Sequence, residues 1–400
     1  MRILVVGGGI AGATLAVALR HAGLDPLVVE ARHSRAALGG AFLTLAPNGV
    51  NALRAIGLGD VPSAAEGFEV SGLDMHNARG RRIAELAGEH DLDRYGARGV
   101  VLRRARLHAE LTRRAQAAGA RYRFGARLVD LRDHAAGVTA VFADDETVEV
   151  DAVIGADGIW SRVRRLTWPD APRPRYTGIV DCGGWTTVDL PDTSRQQMYF
   201  GHRAFFGFVV RDSLAYWFTN VPRRDEPERT EFDNLDHQDW MTRIRELHAD
   251  DPAPVRAVLG AANRSLGAWP LYDLPDLPAW HTSTVCLVGD AAHAVSPSTG
   301  QGASLAIEDA VVLARHLGEG HRPETAFAGF VAERKSRAEK IVRFGRQIGD
   351  RKASSAAGNL FRDLTLGFFL RMGAKAAREQ YAYRVPQLPE SPYGPGATRA

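Results

Sequence analysis

The stretch VGDAAHAVSPSTGQG, residues 288–302, sets Asp290 and His293 three apart, with Ser296 and Ser298 just beyond. Acid, base and hydroxyl in one run could serve nucleophilic catalysis, His taking a serine proton and Asp orienting the His. Neither serine, however, sits in the Gly-x-Ser-x-Gly elbow that exposes a nucleophile on a strained turn. The other chemistry open to such a run is ligand binding by glycines and backbone N–H groups. A second stretch points the same way: Gly7-x-Gly9-x-x-Gly12, with Glu30 some twenty residues on. Gly7 permits a tight turn, Gly9 lets the backbone approach a pyrophosphate, and Gly12 lets a helix pack on a strand. The helix start, Ala11 included, supplies unpaired N–H groups and a positive partial charge. Glu30 can accept ribose hydroxyls and would repel a 2′-phosphate, so the nucleotide bound here is NAD or FAD rather than NADP. A third stretch, DAVIGADGIWSRVRR, offers Asp157, Gly158, Ser161 and Arg164.

The elements that must position these residues are legible. Ile3–Val6 reads as a strand, Ile10–His21 as a helix and Leu27–Glu30 as a strand, a βαβ unit that implies a parallel sheet. Arg106–Ala118 reads as a helix. Residues 121–151 alternate like a β-meander. Residues 177–220 are aromatic and β-rich with interspersed Gly, which suggests a separate antiparallel sheet. Val285–Val288 is a buried strand, and Ala303–Leu317 a helix with Ala306, Ala310, Leu313 and Leu317 on one face. Helix continues to about Tyr383, and the Pro/Gly-rich end is expected to be unstructured.

Bulk properties exclude several classes. The 400 residues suffice for a sizeable core, and 45% hydrophobic with 24% charged residues is ordinary for a globular protein. A net charge of +3 is too small at this length to imply nucleic acid or a membrane surface. Cys182 and Cys286 have neither metal nor CxxC spacing, so no metal site is expected. No apolar run is long enough to span a bilayer, nor does the N-terminus read as a signal peptide; a cytoplasmic location is expected.

GGGIAG with Glu30, RARL at 104–107, GADGIWSRVR at 155–164 and GDAAHAVSPSTGQGASLAIEDA at 289–310 together resemble the FAD-dependent aromatic hydroxylases. That family is typified by para-hydroxybenzoate hydroxylase and the tetracycline-inactivating monooxygenases, and the resemblance runs to about residue 350. It implies an α/β fold: a Rossmann-like FAD-binding domain with an inserted antiparallel β-sheet substrate domain and C-terminal helices. The FAD-binding part would be discontinuous (1–70, 98–175 and 276–355), the substrate domain 71–97 and 176–275. A helical segment (356–385) and a disordered tail (386–400) would follow. By resemblance, Asp290 binds the ribityl or pyrophosphate part of FAD and Pro297 lies against the ring. Gly300, Gln301, Gly302 and Ala303 meet the ring's pyrimidine edge. Arg104 reaches the ribityl or phosphate side, or is a solvated helix-start Arg. Leu128 passes the adenine. Asp157 and Arg164 brace the pyrophosphate, or build a structural turn. His293 fixes its loop, with a lesser chance of a role in proton traffic, and Glu308-Asp309 is a structural feature of the helix.

The activity so implied is hydroxylation of an electron-rich aromatic or polycyclic small molecule with O2 and NADH or NADPH, through a flavin C4a-hydroperoxide. No protein nucleophile is required, and no catalytic residue is assigned. There is no second GxGxxG to hold the nicotinamide permanently. Trp185, Tyr199, Phe206, Phe208, Trp217 and Pro297 are candidate pocket liners, although strand aromatics are as often sheet core. Arg203 and His202 would orient an acidic or phenolic substrate, or sit in a turn. Epoxidation and Baeyer–Villiger insertion use the same cycle and stay open, as does a non-catalytic FAD-binding accessory role. A flavin halogenase is disfavoured because no Lys precedes Lys335. A monomer or homodimer is expected.

Overall fold

The computed structural model describes residues 1–33, 42–86, 88, 90–228, 230–232, 235–263, 267–352 and 377–388. Of the expected C-terminal helical segment, 356–376 lie outside the described residues, as do 389–400 of the expected tail.

A five-stranded parallel sheet forms the base. Its order is β18 (Val285–Leu287), β12 (Ala152–Gly155), β1 (Arg2–Val6), β2 (Asp25–Glu30), β8 (Arg121–Phe124). Strands covered on both faces must be apolar throughout, and Ile3–Val6, Ala152–Gly155 and Val285–Leu287 are all buried. Helices Ile10–His21 and Gly302–Gly318 pack against each other on this base, and helix Arg104–Ala117 packs beside the first. One expectation changes: β8 leaves the meander for the parallel sheet. It follows directly on the 104–117 helix, the connection that parallel pairing needs, and Gly125 at φ +74 then turns the chain away. The meander proper is β9 (Leu128–His134), β10 (Gly137–Phe142) and β11 (Thr147–Val150).

A three-stranded sheet, β3 (Phe42–Leu45), β7 (Gly99–Arg103) and β4 (Phe68–Val70), lies between this base and a seven-stranded sheet. The latter runs β17 (Ala268–Asp273), β13 (Arg175–Thr187), β16 (Leu214–Pro222), β15 (Phe205–Arg211), β14 (Gln196–Phe200), β5 (Leu73–His76), β6 (Arg82–Leu86). It is mixed rather than wholly antiparallel, because β5 pairs parallel to β14. β5 arrives from β4 through only Ser71 and Gly72, the latter at φ +106, so its direction is set by that short link.

Side-chain alternation gives the large sheet two apolar faces. One carries Phe206, Phe208, Val210, Ala215, Trp217 and Val221 into a core closed by helices His237–Leu247 and Ala253–Ala261. The other carries Val209 and Tyr216 against Val70, Val101, Phe42 and Phe68 of the three-stranded sheet. Beside them, Phe205, Phe218 and Met198 form a smaller cluster. No helix among the described residues is long and apolar enough to cross a membrane.

Candidate flavin site

The Gly7–Gly12 turn is built as its glycines require. A Cβ on Gly7, at φ +103, would meet the Ala156 carbonyl oxygen at 2.5 Å, and one on Gly12 the Gly7 oxygen at 1.9 Å. A Cβ on Gly9 would meet nothing within 4 Å, so that side of the turn is open to a ligand. The following helix has Gly9 as its N-cap and no side-chain cap, which leaves its first N–H groups available. Glu30 closes the turn: Oε2 accepts from Gly8 N (3.0 Å) and Oε1 from Arg32 N (3.0 Å). A residue not anticipated from the sequence, His108, donates from Nε2 to the Gly8 carbonyl at 2.7 Å. Burial pushes its pKa down. Its signal was a lone polar residue on the inner side of the 104–117 helix.

The 155–164 segment supports rather than cradles. Asp157 Oδ2 accepts from Arg162 N (2.6 Å) and Val163 N (3.0 Å), while Oδ1 is enclosed without a partner. Burial raises this carboxyl. Ser161 caps the same helix through Arg164 N (2.9 Å). The buried Arg164 donates to Ala291 O (2.7 Å) and Ile159 O (2.6 Å), tying this loop to the one that carries Asp290. Leu128 is buried at the start of β9, and Arg104 is exposed at the first position of its helix.

The opening run folds into a backbone cradle and not a triad. Gly289, at φ +57, is wedged between Ala11 and Ala306, so the turn before Asp290 sits where the two ligand-facing helices begin. Asp290 is exposed, with Pro297 and Gly300. His293 faces inward: its Nε2 lies 2.5 Å from Asp309 Oδ2, and its ring packs on Trp280. Ser296 caps the short 3₁₀ turn Pro297–Thr299. The Gly302–Gly318 helix has no side-chain cap, which leaves the N–H groups of its first turn without a side-chain acceptor. Gln301 and Asn48 are buried behind them, joined at 2.9 Å, and each keeps one orphaned polar atom, Gln301 Nε2 and Asn48 Oδ1. Behind these, Glu308 accepts from Asn48 (2.7 Å) and Arg337 (3.0 Å) and pairs with Arg334 at 2.6 Å. Glu308 and Asp309 are thus tied down by arginines from the next helix, Pro323–Lys352.

Two uncapped helix starts, an exposed carboxylate and open glycines at 9, 158 and 300 converge from distant parts of the chain. They fit a long, flat, doubly phosphorylated nucleotide: one start for the pyrophosphate and the other for a ring edge that gains negative charge on reduction.

The expected pocket liners divide. Trp185 lies on the sheet face toward the three-stranded sheet. Phe206, Phe208, Trp217 and Tyr199 do not: they belong to the core beneath the two helices. Their strands place odd and even residues on opposite sides, and these four have the wrong parity for the facing side. Phe42, Phe205, Tyr216 and Phe218, which the sequence reading did not single out, lie on the facing side. Arg203 pairs with Asp250 (3.0 Å) and His202 with Asp251 (3.0 Å), so both hold a turn at the end of β14.

The family described as "FAD binding domain" matches residues 1–345. Aurachin C monooxygenase/isomerase of Stigmatella aurantiaca is 30% identical over 87% of this chain and 89% of its own length. 6-Hydroxynicotinate 3-monooxygenase of Pseudomonas fluorescens is 30% identical over 86% and 89%. Among solved structures, Klebsiella pneumoniae HpxO complexed with FAD and uric acid superposes with a TM-score of 0.78 at 25% identity, over 95% of this chain and 93% of that one. With the converging cradle and a match over most of the chain, the protein belongs to the FAD-dependent aromatic hydroxylases and is a flavoprotein monooxygenase.

Proposed function

We propose that the protein uses NADH or NADPH and O2 to hydroxylate an electron-rich aromatic small molecule. The observation that carries this is the apolar aromatic face formed by Phe42, Tyr216, Phe205 and Phe218, on the side of the large sheet that looks toward the cofactor-binding layers. FAD held here would supply the redox chemistry: two electrons taken from NAD(P)H, one oxygen atom of O2 passed to the substrate ring and the other released as water. The chain does the rest. Gly7, Gly9, Ala11 and Gly12 hold the pyrophosphate and Glu30 the ribose, with Leu128 at the adenine and Arg104 and Asp290 along the ribityl chain. Pro297 and Gly300–Ala303 position the ring, and helix-start N–H groups there stabilise negative charge by ~0.3–1 kcal/mol, up to ~2 when partly buried. The aromatic face orients a flat substrate and excludes water, which favours oxygen transfer over release of H2O2. Residues 1–70, 98–175 and 276–355 would bind cofactor, and 71–97 with 176–275 substrate.

Relatives point to the substrate class: one is named for a hydroxynicotinate, another, from Klebsiella oxytoca, for 3-hydroxybenzoate. The test is to incubate the yellow holoprotein with hydroxybenzoates, 6-hydroxynicotinate and 4-hydroxyquinolines, following NAD(P)H consumption and product mass. At least one should accelerate consumption and gain one oxygen atom. Asp290→Ala, which removes an exposed carboxylate, should yield mostly apoprotein. If no aromatic accelerates consumption, the aromatic-hydroxylase reading falls and epoxidation or Baeyer–Villiger insertion on another substrate takes its place.

A further inference from the structure

β7 ends at Arg103, immediately before the helix that Arg104 opens, and the two arginines do different things. Val101 and Arg103 share the strand face directed at the large sheet, where Val101 packs with Val209 and Tyr216. Arg103 lays its guanidinium over Trp185, 4.3 Å from the ring centroid, and 5.8 Å from that of Tyr216. Its Nε is buried and makes no hydrogen bond. The acids on and before the neighbouring strand β4 are taken: Glu69 pairs with Arg98 at 3.4 Å and Glu66 with Arg106 at 3.3 Å. Among the described residues no carboxylate lies within ion-pair distance of Arg103. A stacked, half-buried guanidinium keeps its fork rigid while its donors stay unmet, the arrangement that suits bidentate capture of an anionic oxygen pair.

Its position connects it to the proposed chemistry. Arg103 pairs in register with Phe42, whose ring meets both Tyr216 and Phe218 edge-on. Two residues along β3, Thr44 bonds Gln196 of the large sheet at 3.0 Å, and Ala46 N then bonds Ser304 Oγ at 3.2 Å on the helix whose start faces the flavin. From Phe42, the register partner of Arg103, to Ala46, which bonds this helix, the chain runs four residues, about 13 Å of extended backbone. Phe42 and Phe218 supply aromatic surface alongside this path.

We infer that Arg103, braced by Trp185, is the substrate's anion anchor: it takes a carboxylate and so selects acidic aromatics over neutral ones. The inference rests on the hydroxylase reading but is tested by binding alone. The holoprotein is titrated with 3-hydroxybenzoate, 6-hydroxynicotinate and 4-hydroxyquinoline, and with the methyl esters of the two acids, following the flavin absorbance difference. The wild type should bind at least one anionic probe more tightly than its neutral counterpart. Arg103→Gln should weaken the anion by roughly tenfold to a hundredfold, the loss of one charged hydrogen-bonding partner, and leave the ester's Kd within about twofold. Arg103→Lys, which keeps the charge without the fork, should fall between and guards against a variant that simply misfolds. 4-Hydroxyquinoline carries no carboxylate and should bind independently of Arg103; if it alone depends on Arg103, the carboxylate anchor falls. Equal loss for acid and ester, no loss at all, or no anionic probe perturbing the wild-type flavin overturns the assignment. Arg103-dependent binding without turnover of any probe would instead sink the hydroxylase reading and leave the anchor standing.

Discussion

Asp309→Asn is the most revealing single change in the cofactor layer, because it alters charge at nearly constant shape. Asp309 is fully buried. Its Oδ2 accepts from Gly289 N (2.9 Å) and His293 Nε2 (2.5 Å), and its Oδ1 from Arg334 Nε (2.9 Å). Both oxygens face donors, so whichever way an Asn amide is turned, its NH2 meets one. Burial pushes the Asp309 carboxyl up, but His293 and Arg334 outweigh it and hold the pKa at about 2, against an ordinary 3.8. A depressed carboxyl contributes stability that is complete above the unfolded value and lost as pH falls through the folded one, here between about 4 and 2. That shift corresponds to ~2 kcal/mol. Breaking a buried pair while leaving Arg334 in place costs ~3–5 kcal/mol. The expectation is therefore a loss of ~2–5 kcal/mol, read by urea unfolding with tryptophan fluorescence at neutral pH. FAD should leave at lower urea than in the wild type, because the Gly289 turn loses its tether, and the decline in stability from pH 4 to 2 should flatten. A variant within ~0.5 kcal/mol of wild type, with an unchanged acid limb, would refute this reasoning.

Two further changes separate the layers. Gly12→Ala places a methyl 1.9 Å from the Gly7 oxygen, backbone that cannot swing aside; the purified protein should be colourless or insoluble, and normal FAD content in an absorbance scan would count against the turn geometry. Phe206→Ala, in the helix-covered core, should cost ~3–5 kcal/mol of stability, whereas Phe218→Ala, on the opposite face, should chiefly raise KM for whichever aromatic is turned over. Thermal melts and steady-state kinetics on the pair would show it, and the reverse pattern would mean the two faces have been interchanged.

The cofactor layer could be read from the chain because its demands are local: glycines where backbone must come close, β-branched runs where strands are covered on both sides, a helix directly after each turn. The helix at Ile10–His21 lies where the periodicity put it. What escaped was non-local. Whether Phe206 or Phe205 faces the cofactor depends on one step of register, and FFGFVV reads equally well either way. The partners of Glu308 and Asp309 were also hidden, although two acids on a buried helix face imply cations opposite, and Arg334 and Arg337 one turn apart on the next helix supply them. His108 reaches the Gly8 carbonyl from a hundred residues away, a distance at which composition says nothing.

The order of strands in the parallel base bears on how the protein is made. β1 leaves the ribosome first, β12 pairs with it once residue 155 has emerged, and the edge strand β18 arrives only at residue 287. Arg337 then donates to Gln380 O at 3.0 Å, and Tyr383 covers Arg337 at 4.0 Å, close to the far terminus. A nascent chain thus holds the first phosphate loop long before it has the ring-binding loop or the brace behind it. Flavin capture accordingly waits for the ring-binding loop near residue 300, and nascent chains stalled before residue 287 should not retain FAD.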